Sequence, residues 1–311
     1  MIQEDMWCKR SLQQVLVIAL GMLAVAAAGG ADLTRAYFAA HVRDCAFSAA
    51  HVNVLRQHKM LLVPGYFSDL NPSYFAEQLR WLASLGIERE KVAIRSNQSV
   101  GVNAPIVAAA IRHSVKPVIL ITHSKGSVDA LEALRAEPSL QLKVKGWVSL
   151  QGAFFGTPVA DRLLDGSLLD PLVSTAILSF LGGTKESAQG LTTGASLAYY
   201  RKHAAAIDAI VRRVPAIAFA SALDGTPGAR VKTLLEIPRE LMWRKGIRSD
   251  GLVPTDAAVL PGMNFVEVPG VDHIATVMPA LERFDRVRMM KALLFTLRAP
   301  FHALSRSTAC K

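Results

Sequence analysis

The sequence predicts an α/β fold with a mostly parallel central sheet and helices on both of its faces. Short runs of β-branched and aliphatic residues alternate with helical patterns along most of the 311 residues. One run, Val118 to Ile121, has four consecutive apolar residues, which is typical of a strand buried on both faces. Hydrophobic residues make up 51% of the chain, enough for the core of one large domain.

Six strands and four helices are predicted from this alternation. The strands are expected at residues 59–63, 92–94, 118–121, 146–150, 215–221 and 264–268. The first helix is expected to have Asn71 as its N-cap and Pro72 at its first position, and to end at Gly86. The others are expected at residues 105–112, 126–136 and 281–298.

A long insertion interrupts this order at about residues 159–214. More than sixty residues separate two predicted strands there, far beyond the two to six usual for such a loop. Its first half is strongly apolar, with Leu163, Leu164, Leu168, Leu169, Leu172, Ile177, Phe180 and Leu181. Two interpretations remain open, namely the ordinary core of one or two additional helices and a helical lid over an apolar cleft.

Residues 1–31 are expected to be a signal peptide or an N-terminal membrane anchor. Lys9 and Arg10 precede an apolar run from Val15 to Ala28, and small residues follow it, as in secretory signals. The run would also serve as an uncleaved anchor, because a membrane span needs about 20 mostly apolar residues, or as few as roughly 17. The remaining residues, 32–311, are therefore expected to form an exported domain that is periplasmic, secreted or anchored to the membrane.

Composition and motifs restrict the partners. The chain carries 35 Lys and Arg against 25 Asp and Glu, and this formal charge of +10 favours association with anionic membrane surfaces. The basic residues are scattered without long runs, which argues against nucleic-acid binding. No phosphate-binding G-x-x-x-x-G-K-[ST] loop, H-E-x-x-H pair or Cys-x-x-Cys pair occurs, so neither a cofactor nor a metal is expected.

The stretch "THSKG" presents Ser124 where a buried strand turns sharply into a helix. Gly126, two residues later, would let the strand and the helix pack closely, as in a nucleophile elbow. The elbow would place the hydroxyl at a helix N-terminus, where developing negative charge is favoured. His123 is expected to pack beside the elbow instead of serving as its base. The alternative for Ser124 by itself is a helix-capping serine.

A base and an acid follow downstream in the order Ser, Asp, His. "RSDGLVPTDA" places Asp250 in a turn, and "VEVPGVDHIATV" places His273 in a loop after the last predicted strand. A serine hydroxyl needs a base to take its proton, and the base needs a carboxylate to orient it. Both loops would lie at the carboxyl edge of a parallel sheet, where such sheets bind ligands.

Three other aspartates compete with Asp250 for the role of the acid. Asp224 follows a predicted strand more directly and ranks second, and Asp256 ranks third. Asp272 is adjacent to His273 along the chain, so its carboxylate is poorly placed to reach that imidazole.

Donors for the oxyanion of an acyl intermediate are expected from two backbone amides. In "LLVPGYFSD", Gly65 would let the loop turn so that the N–H of Tyr66 faces the site. The N–H of Lys125, the residue after the nucleophile, is the natural second donor. The alternative for Pro64 and Gly65 is a plain turn that ends the strand.

These motifs together resemble the α/β-hydrolase superfamily, and more narrowly the bacterial secreted triacylglycerol lipases. "VPGYFSD" is similar to the lipase oxyanion loop, "THSKG" to the G-H-S-x-G elbow, and "SDGLVP" and "VDHIATV" to the acid and histidine loops. "GAFFGTPVAD" and "GLTTGASLAYY" also resemble lipase segments, so that the likeness extends from about residue 59 to 277. The resemblance implies an α/β-hydrolase fold with Ser124 as nucleophile, His273 as base and Asp250 as acid.

Four positions depart from the family pattern. Pro64 stands where the family has histidine, Thr122 where the elbow motif has its first glycine, and Lys125 where the family has glutamine or a similar residue. The family's structural calcium site uses an aspartate two residues after the histidine, and this chain has Ala275 there. Calcium is therefore not expected.

The function expected from these residues is that of an exported serine hydrolase. Its substrates would be carboxylic esters, namely acylglycerols or other lipid esters, because the insertion is apolar. Acyl transfer or polyester depolymerisation on the same triad is the alternative among enzymes. A noncatalytic, lipid-binding envelope protein that keeps the hydrolase fold is the alternative from another class.

Overall fold

A computed structural model of the chain describes residues 29–44, 47–66, 68–165, 185–223, 233, 235–281 and 283–297. The predicted leader up to residue 28, residues 166–184 of the insertion, the alternative acid Asp224 and the three cysteines lie outside these ranges. Among the described residues, no helix combines the length and apolarity that crossing a bilayer requires.

Within the described ranges, six parallel strands form one sheet in the order β2-β1-β3-β4-β5-β6. The strands are β1 (Lys59–Val63), β2 (Glu88–Lys91), β3 (Val118–His123), β4 (Val144–Leu150), β5 (Ala216–Ala222) and β6 (Asn264–Pro269). The predicted parallel α/β sheet is confirmed, and five strands lie within two residues of their predicted bounds.

Helices connect the strands and cover the sheet. They are α1 (Thr34–Val42), α2 (Ala49–Arg56), α3 (Ala76–Ser84), α4 (Val100–His113), α5 (Lys125–Ala136), α6 (Pro158–Asp165), α7 (Lys185–Gln189), α8 (Thr193–Arg213), α9 (Glu236–Trp243) and α10 (Arg286–Leu297). Short 3₁₀ helices span Pro138–Leu142 and Thr255–Ala258.

Hydrophobic clusters fill both faces of the sheet. Along β3, Ile119 and Ile121 belong to one cluster, whereas Val118 and Leu120 belong to the other. This alternation explains why the run is uniformly apolar, because each face of a central parallel strand meets a helical layer. The loops after β1 and β3 leave the same edge of neighbouring strands, and β2 lies on the far side of β1. Such a point of divergence is where open α/β sheets form a crevice.

The second strand was predicted in the wrong place. Instead of residues 92–94, the strand is Glu88–Lys91, which has the sequence Glu-Arg-Glu-Lys and lies at the edge of the sheet beside β1. Charged side chains are tolerated on an edge strand and protect it from pairing with other chains. The prediction was drawn instead to Val92 and Ile94, which follow the strand and are apolar and buried.

The predicted start of the first helix was also wrong. Helix α3 begins at Ala76 and follows Phe75, whose φ is 63°. Asn71 instead closes a turn, in which its side-chain oxygen accepts hydrogen bonds from the N–H and the hydroxyl of Ser73. Asparagine favours such local turns as strongly as it favours helix caps, so the two patterns look alike in a sequence.

Two other helix boundaries differ from the predictions. Helix α4 begins at Val100, and Pro105 lies inside it, because packing of Ala104 and Val107 in the core outweighs the missing proline N–H. Helix α10 begins at Arg286 and not at residue 281, since the carboxylate of Asp285 accepts the N–H of Arg288 and caps the helix there.

The described part of the insertion is helical. Its second half, α8, packs into the core through Ile207 and Ile210. Residues 166–184, on which the lid interpretation depends, lie outside the described residues.

Candidate active site

Ser124 lies in a strained turn between β3 and α5. Its φ of 53° and ψ of −129° are unusual for a residue with a side chain, and such backbone strain costs on the order of 1–3 kcal/mol. A Cβ on Gly126 would lie 2.3 Å from the carbonyl oxygen of Pro64, so only glycine fits between the helix and the loop after β1. This geometry is that of a nucleophile elbow.

The structure joins Ser124, His273 and Asp250 in one hydrogen-bonded chain. The Ser124 Oγ lies 2.9 Å from His273 Nε2, and His273 Nδ1 lies 2.7 Å from Asp250 Oδ2. The carboxylate can only accept, so Nδ1 carries the proton and Nε2 is left to accept from the serine hydroxyl. The three residues are 8%, 5% and 1% exposed, respectively, and water is largely excluded from the chain.

Asp250 is held on both oxygens. Its Oδ1 accepts the N–H of Leu252 at 2.9 Å and of Val253 at 2.7 Å, which leaves Oδ2 for the imidazole. The backbone N–H of His273 also donates to the Asp250 carbonyl at 2.9 Å. These bonds tie the two loops together at both backbone and side chain.

Asp256 and Asp272, the other candidate acids that the structure describes, do not reach the imidazole. Asp272 accepts the N–H groups of Ile274 and Ala275 on Oδ1 and the hydroxyl of Thr233 on Oδ2. Asp256 is exposed in the 3₁₀ helix Thr255–Ala258. Among the candidates that the structure describes, Asp250 is thus the one that meets His273.

The loop after β1 packs directly against the elbow. A Cβ on Gly65 would lie 2.9 Å from the Ser124 Cβ and 3.1 Å from the His123 carbonyl oxygen. Tyr66 follows in this loop, and Lys125 is the first residue of α5, where N–H groups have no carbonyl partner in the preceding turn. The two predicted oxyanion residues therefore flank the serine on neighbouring segments.

No family model matches the sequence, and no curated protein matches it significantly. Several solved structures match the chain in fold. A metagenomic carboxyl esterase is 21% identical with a TM-score of 0.63, over 80% of this chain and 77% of that one. The mature form of a Bacillus licheniformis lipase is 19% identical with a TM-score of 0.57, over 79% and 91%. Phospholipase PlaB from Legionella pneumophila is 15% identical with a TM-score of 0.55, over 81% and 61%.

The chain has the α/β-hydrolase fold. Along the chain, the elbow follows β3 and the later loops follow β5 and β6. This is the order that the sequence motifs predicted for this fold. The α/β-hydrolase fold explains where the site lies, but the chemistry depends on the side chains at the carboxyl edge.

Thr122, where the elbow motif of this fold has glycine, is accommodated by hydrogen bonds. Its buried hydroxyl accepts the indole N–H of Trp147 at 2.9 Å and lies 2.8 Å from the hydroxyl of Ser127. The larger side chain is therefore satisfied below the elbow and leaves the turn intact.

The Lys125 side chain belongs to a buried ion pair that the sequence analysis missed. Its Nζ lies 2.9 Å from both carboxylate oxygens of Asp129, and neither side chain is exposed. Asn103 donates to Asp129 at 3.3 Å, and the Lys125 ammonium lies 5.6 Å from the centre of the Tyr66 ring. Burial lowers the pKa of Lys125 and raises the pKa of Asp129 to about 6. The feature of the sequence that could have predicted this pair is the spacing of four residues, which places both side chains on one face of a helix.

His123 packs beside the elbow, as predicted. Its Nδ1 lies 2.5 Å from the Tyr74 hydroxyl, and its Nε2 lies 2.9 Å from the carbonyl oxygen of His273. Burial and the neighbouring His273 lower the pKa of His123 well below its usual range. The ring is therefore neutral at physiological pH.

Gln151 is a second residue that the sequence analysis missed. It follows β4 with a φ of 49°, and its amide nitrogen donates to the Ser221 hydroxyl at 2.6 Å and to the Asp272 carbonyl at 3.0 Å. Its amide oxygen accepts the Thr276 hydroxyl at 2.7 Å. Gln151 thereby fixes the histidine loop on the ends of β4 and β5. In the sequence, the only feature that points to Gln151 is its position directly after a buried strand.

Among the described residues, no group of three or more His, Cys, Asp or Glu side chains is arranged to hold a metal ion.

Proposed function

We propose that the protein is a serine hydrolase that cleaves carboxylic esters. The observation that carries the proposal is the hydrogen-bonded chain from the strained Ser124 through His273 to Asp250. Esterases and lipases among the structures that share the fold support this choice of reaction.

In the proposed reaction, Ser124 Oγ attacks the ester carbonyl while His273 Nε2 takes its proton. The N–H groups of Tyr66 and Lys125 donate to the oxyanion of the tetrahedral intermediate. His273 then gives the proton to the leaving alkoxide, which departs as an alcohol and leaves an acyl group on Ser124. Water attacks this acyl-enzyme with His273 as base, and the acid is released.

We further propose that the substrates are lipid esters or other esters with apolar acyl groups. Three large hydrophobic side chains are more than half exposed on the connections that follow β1, β5 and β6, namely Leu70, Ile237 and Leu281. These connections leave the same edge of the sheet as Ser124, and exposed apolar side chains on them favour an apolar substrate. The net charge of +10 is consistent with substrate carried on an anionic membrane surface.

Labelling with a fluorophosphonate probe tests the nucleophile. The wild type should be labelled and should hydrolyse p-nitrophenyl esters, and Ser124→Ala should lose both properties. Ser84→Ala, which removes an exposed serine hydroxyl from α3, is the matched control and should behave as the wild type. Labelling that persists in Ser124→Ala would sink the proposal.

Product analysis separates the alternatives on the same triad. With a competing alcohol present, a hydrolase releases mainly free acid, whereas an acyltransferase releases mainly the new ester. Release of soluble oligomers from a polyester film would identify a depolymerase. Lipid binding without turnover of any ester would identify a noncatalytic protein.

We propose export as the cellular context, on the sequence of residues 1–31. Sequencing the N-terminus of the protein recovered from each cell fraction tests this proposal. A chain that begins near residue 32 outside the cytoplasm indicates a cleaved signal, and a full-length chain in the membrane fraction indicates an anchor. Recovery of the full-length chain in the cytoplasm alone would contradict export.

A further inference from the structure

We propose that Tyr74 and His123 are positioning residues that couple the oxyanion loop to the base. The inference rests on the proposed function, because it assigns Tyr66 and His273 the roles given above. Four groups form a continuous buried chain, in which the N–H of Gly65, the hydroxyl of Tyr74, the ring of His123 and the carbonyl of His273 follow one another.

The direction of every hydrogen bond in this chain is determined by its two ends. The carbonyl oxygen of His273 can only accept, so His123 carries its proton on Nε2 and donates across 2.9 Å. Nδ1 of His123 is then an acceptor, and the Tyr74 hydroxyl donates to it across 2.5 Å. The Tyr74 oxygen in turn accepts the N–H of Gly65 across 2.9 Å. The Tyr74 hydroxyl and the neutral His123 ring are thus each used once as donor and once as acceptor, between an N–H that only donates and a carbonyl that only accepts.

The two ends of the chain lie next to the groups that the reaction needs. The Gly65 N–H belongs to the peptide directly before the one that presents the Tyr66 N–H, so its hydrogen bond anchors the loop one residue ahead of that donor. The carbonyl of His273 belongs to the same residue as the base. Displacement of either segment would therefore strain the chain and be opposed by the other segment.

Packing makes the coupling stiff. The ring centres of Tyr74 and His123 are 5.7 Å apart, and those of His123 and His273 are 4.6 Å apart. Tyr74 and His123 are 2% and 3% exposed, so water does not compete for their hydrogen bonds. A neutral His123 also places no like charge beside the imidazolium that forms on His273 during the reaction.

Tyr74→Phe removes one hydroxyl and keeps the ring. We expect kcat to fall by about tenfold with KM nearly unchanged, since deleting an oxyanion donor outright costs roughly a hundred- to a thousand-fold and this variant only misplaces one. The inhibition constant of a boronic acid, which mimics the tetrahedral intermediate on Ser124, should rise by a similar factor. Tyr37→Phe removes a hydroxyl from another buried tyrosine of the core and should leave both values unchanged.

Two variants of His123 separate the halves of the chain. The side-chain amide of His123→Gln reaches the Nε2 position and keeps a donor for His273, whereas that of His123→Asn reaches the Nδ1 position and keeps a partner for Tyr74. We expect Tyr74→Phe to add little to the loss in His123→Gln, because both remove the same half. In His123→Asn, Tyr74→Phe should cause a further loss. Active-site titration with a fluorophosphonate counts the folded sites, so that kcat refers to intact enzyme.

The proposal is overturned if Tyr74→Phe has the kcat and boronate affinity of the wild type. It is also overturned if the loss appears entirely in the titrated fraction of folded sites, since this would indicate a purely structural role. Failure of the proposed function looks different, because the wild type itself would then neither turn over esters nor react with the fluorophosphonate.

Discussion

Asp250 and Asp272 form the same turn but meet different partners. In each turn, one carboxylate oxygen accepts the backbone N–H groups two and three residues later. The other oxygen meets the imidazole of His273 in the first turn and the hydroxyl of Thr233 in the second. Local chain geometry therefore does not distinguish an orienting acid from a loop-shaping one. The partner of the second oxygen does.

The largest effect should come from Asp250→Asn. The amide would keep the turn through its oxygen, but its NH₂ group would face His273 Nδ1 and force the proton onto Nε2. We expect kcat for ester hydrolysis to fall by about 10³–10⁴-fold, because the imidazole can then no longer accept the serine proton. Steady-state kinetics with p-nitrophenyl esters measures the loss, and a melting temperature near that of the wild type serves as the control. A loss below tenfold would contradict the assigned role.

The comparison also explains which site residues could be predicted from the sequence. Ser124 directly follows β3 and His273 lies shortly after β6, and parallel strands bring their carboxyl ends to one edge of a sheet. Strand context therefore selects these two residues, whereas Asp250 lies beyond α9 and was ranked above Asp224 although Asp224 follows β5 more directly. Asp272 was expected not to reach the imidazole because it is adjacent to His273 along the chain, and in the structure its second oxygen meets Thr233 instead.

Other supporting residues could not be found in this way. Tyr74 lies 49 positions from its partner His123, and Gln151 lies 125 positions from Thr276. No local pattern marks Tyr74, and only its position after a strand marks Gln151, since the contacts of both residues exist only once the sheet has formed. The ion pair of Lys125 and Asp129 is different, because a spacing of four residues on a helix is visible in the sequence.

The bounds of the strands were likewise predicted well where burial determines them and poorly where it does not. Central strands were located within two residues, because burial on both faces demands continuous apolar runs. The edge strand β2 carries charges and was displaced in the prediction, since only its hydrogen bonds to β1 make it a strand.

Asp129 extends the comparison to a third carboxylate, whose partner is the buried ammonium of Lys125. Lys125→Ala would leave Asp129 buried without compensation, and we expect the free energy of unfolding to fall by about 3–5 kcal/mol. The double variant Lys125→Met/Asp129→Leu replaces the pair by apolar groups and should cost much less. Urea denaturation measures both values. Equal losses in the single and double variants would contradict this account.

The pH dependence of stability tests the burial of the Asp129 carboxylate. Burial raises the pKa of Asp129 to about 6 from its usual 3.8, so the folded chain binds a proton that the unfolded chain releases between these pH values. The stabilising contribution of Asp129 is thus fully present below its unfolded pKa and is lost as the pH rises through about 6.

Urea denaturation of the wild type and of Lys125→Met/Asp129→Leu between pH 4 and 7 tests this sign. The free energy of unfolding of the wild type should rise relative to that of the double variant as the pH is lowered from 7 towards 4. A difference that is flat, or that falls towards acid pH, would show that Asp129 stays ionised in the folded chain.

Asp272→Asn should have the smallest effect. The side-chain oxygen would still accept the N–H groups of Ile274 and Ala275, and the new NH₂ group could donate to the Thr233 hydroxyl, which reverses its role. One ordinary hydrogen bond contributes about 0.5–1.5 kcal/mol, so the free energy of unfolding should change by about 1 kcal/mol or less. We expect kcat to stay within about threefold of the wild type, because no atom of Asp272 touches the imidazole in the way that Asp250 does. Urea denaturation and ester kinetics on the matched pair, Asp250→Asn and Asp272→Asn, measure the contrast. Equal losses of kcat in the two variants would mean that the turn, and not the partner of the second oxygen, determines the role of an aspartate at this edge of the sheet.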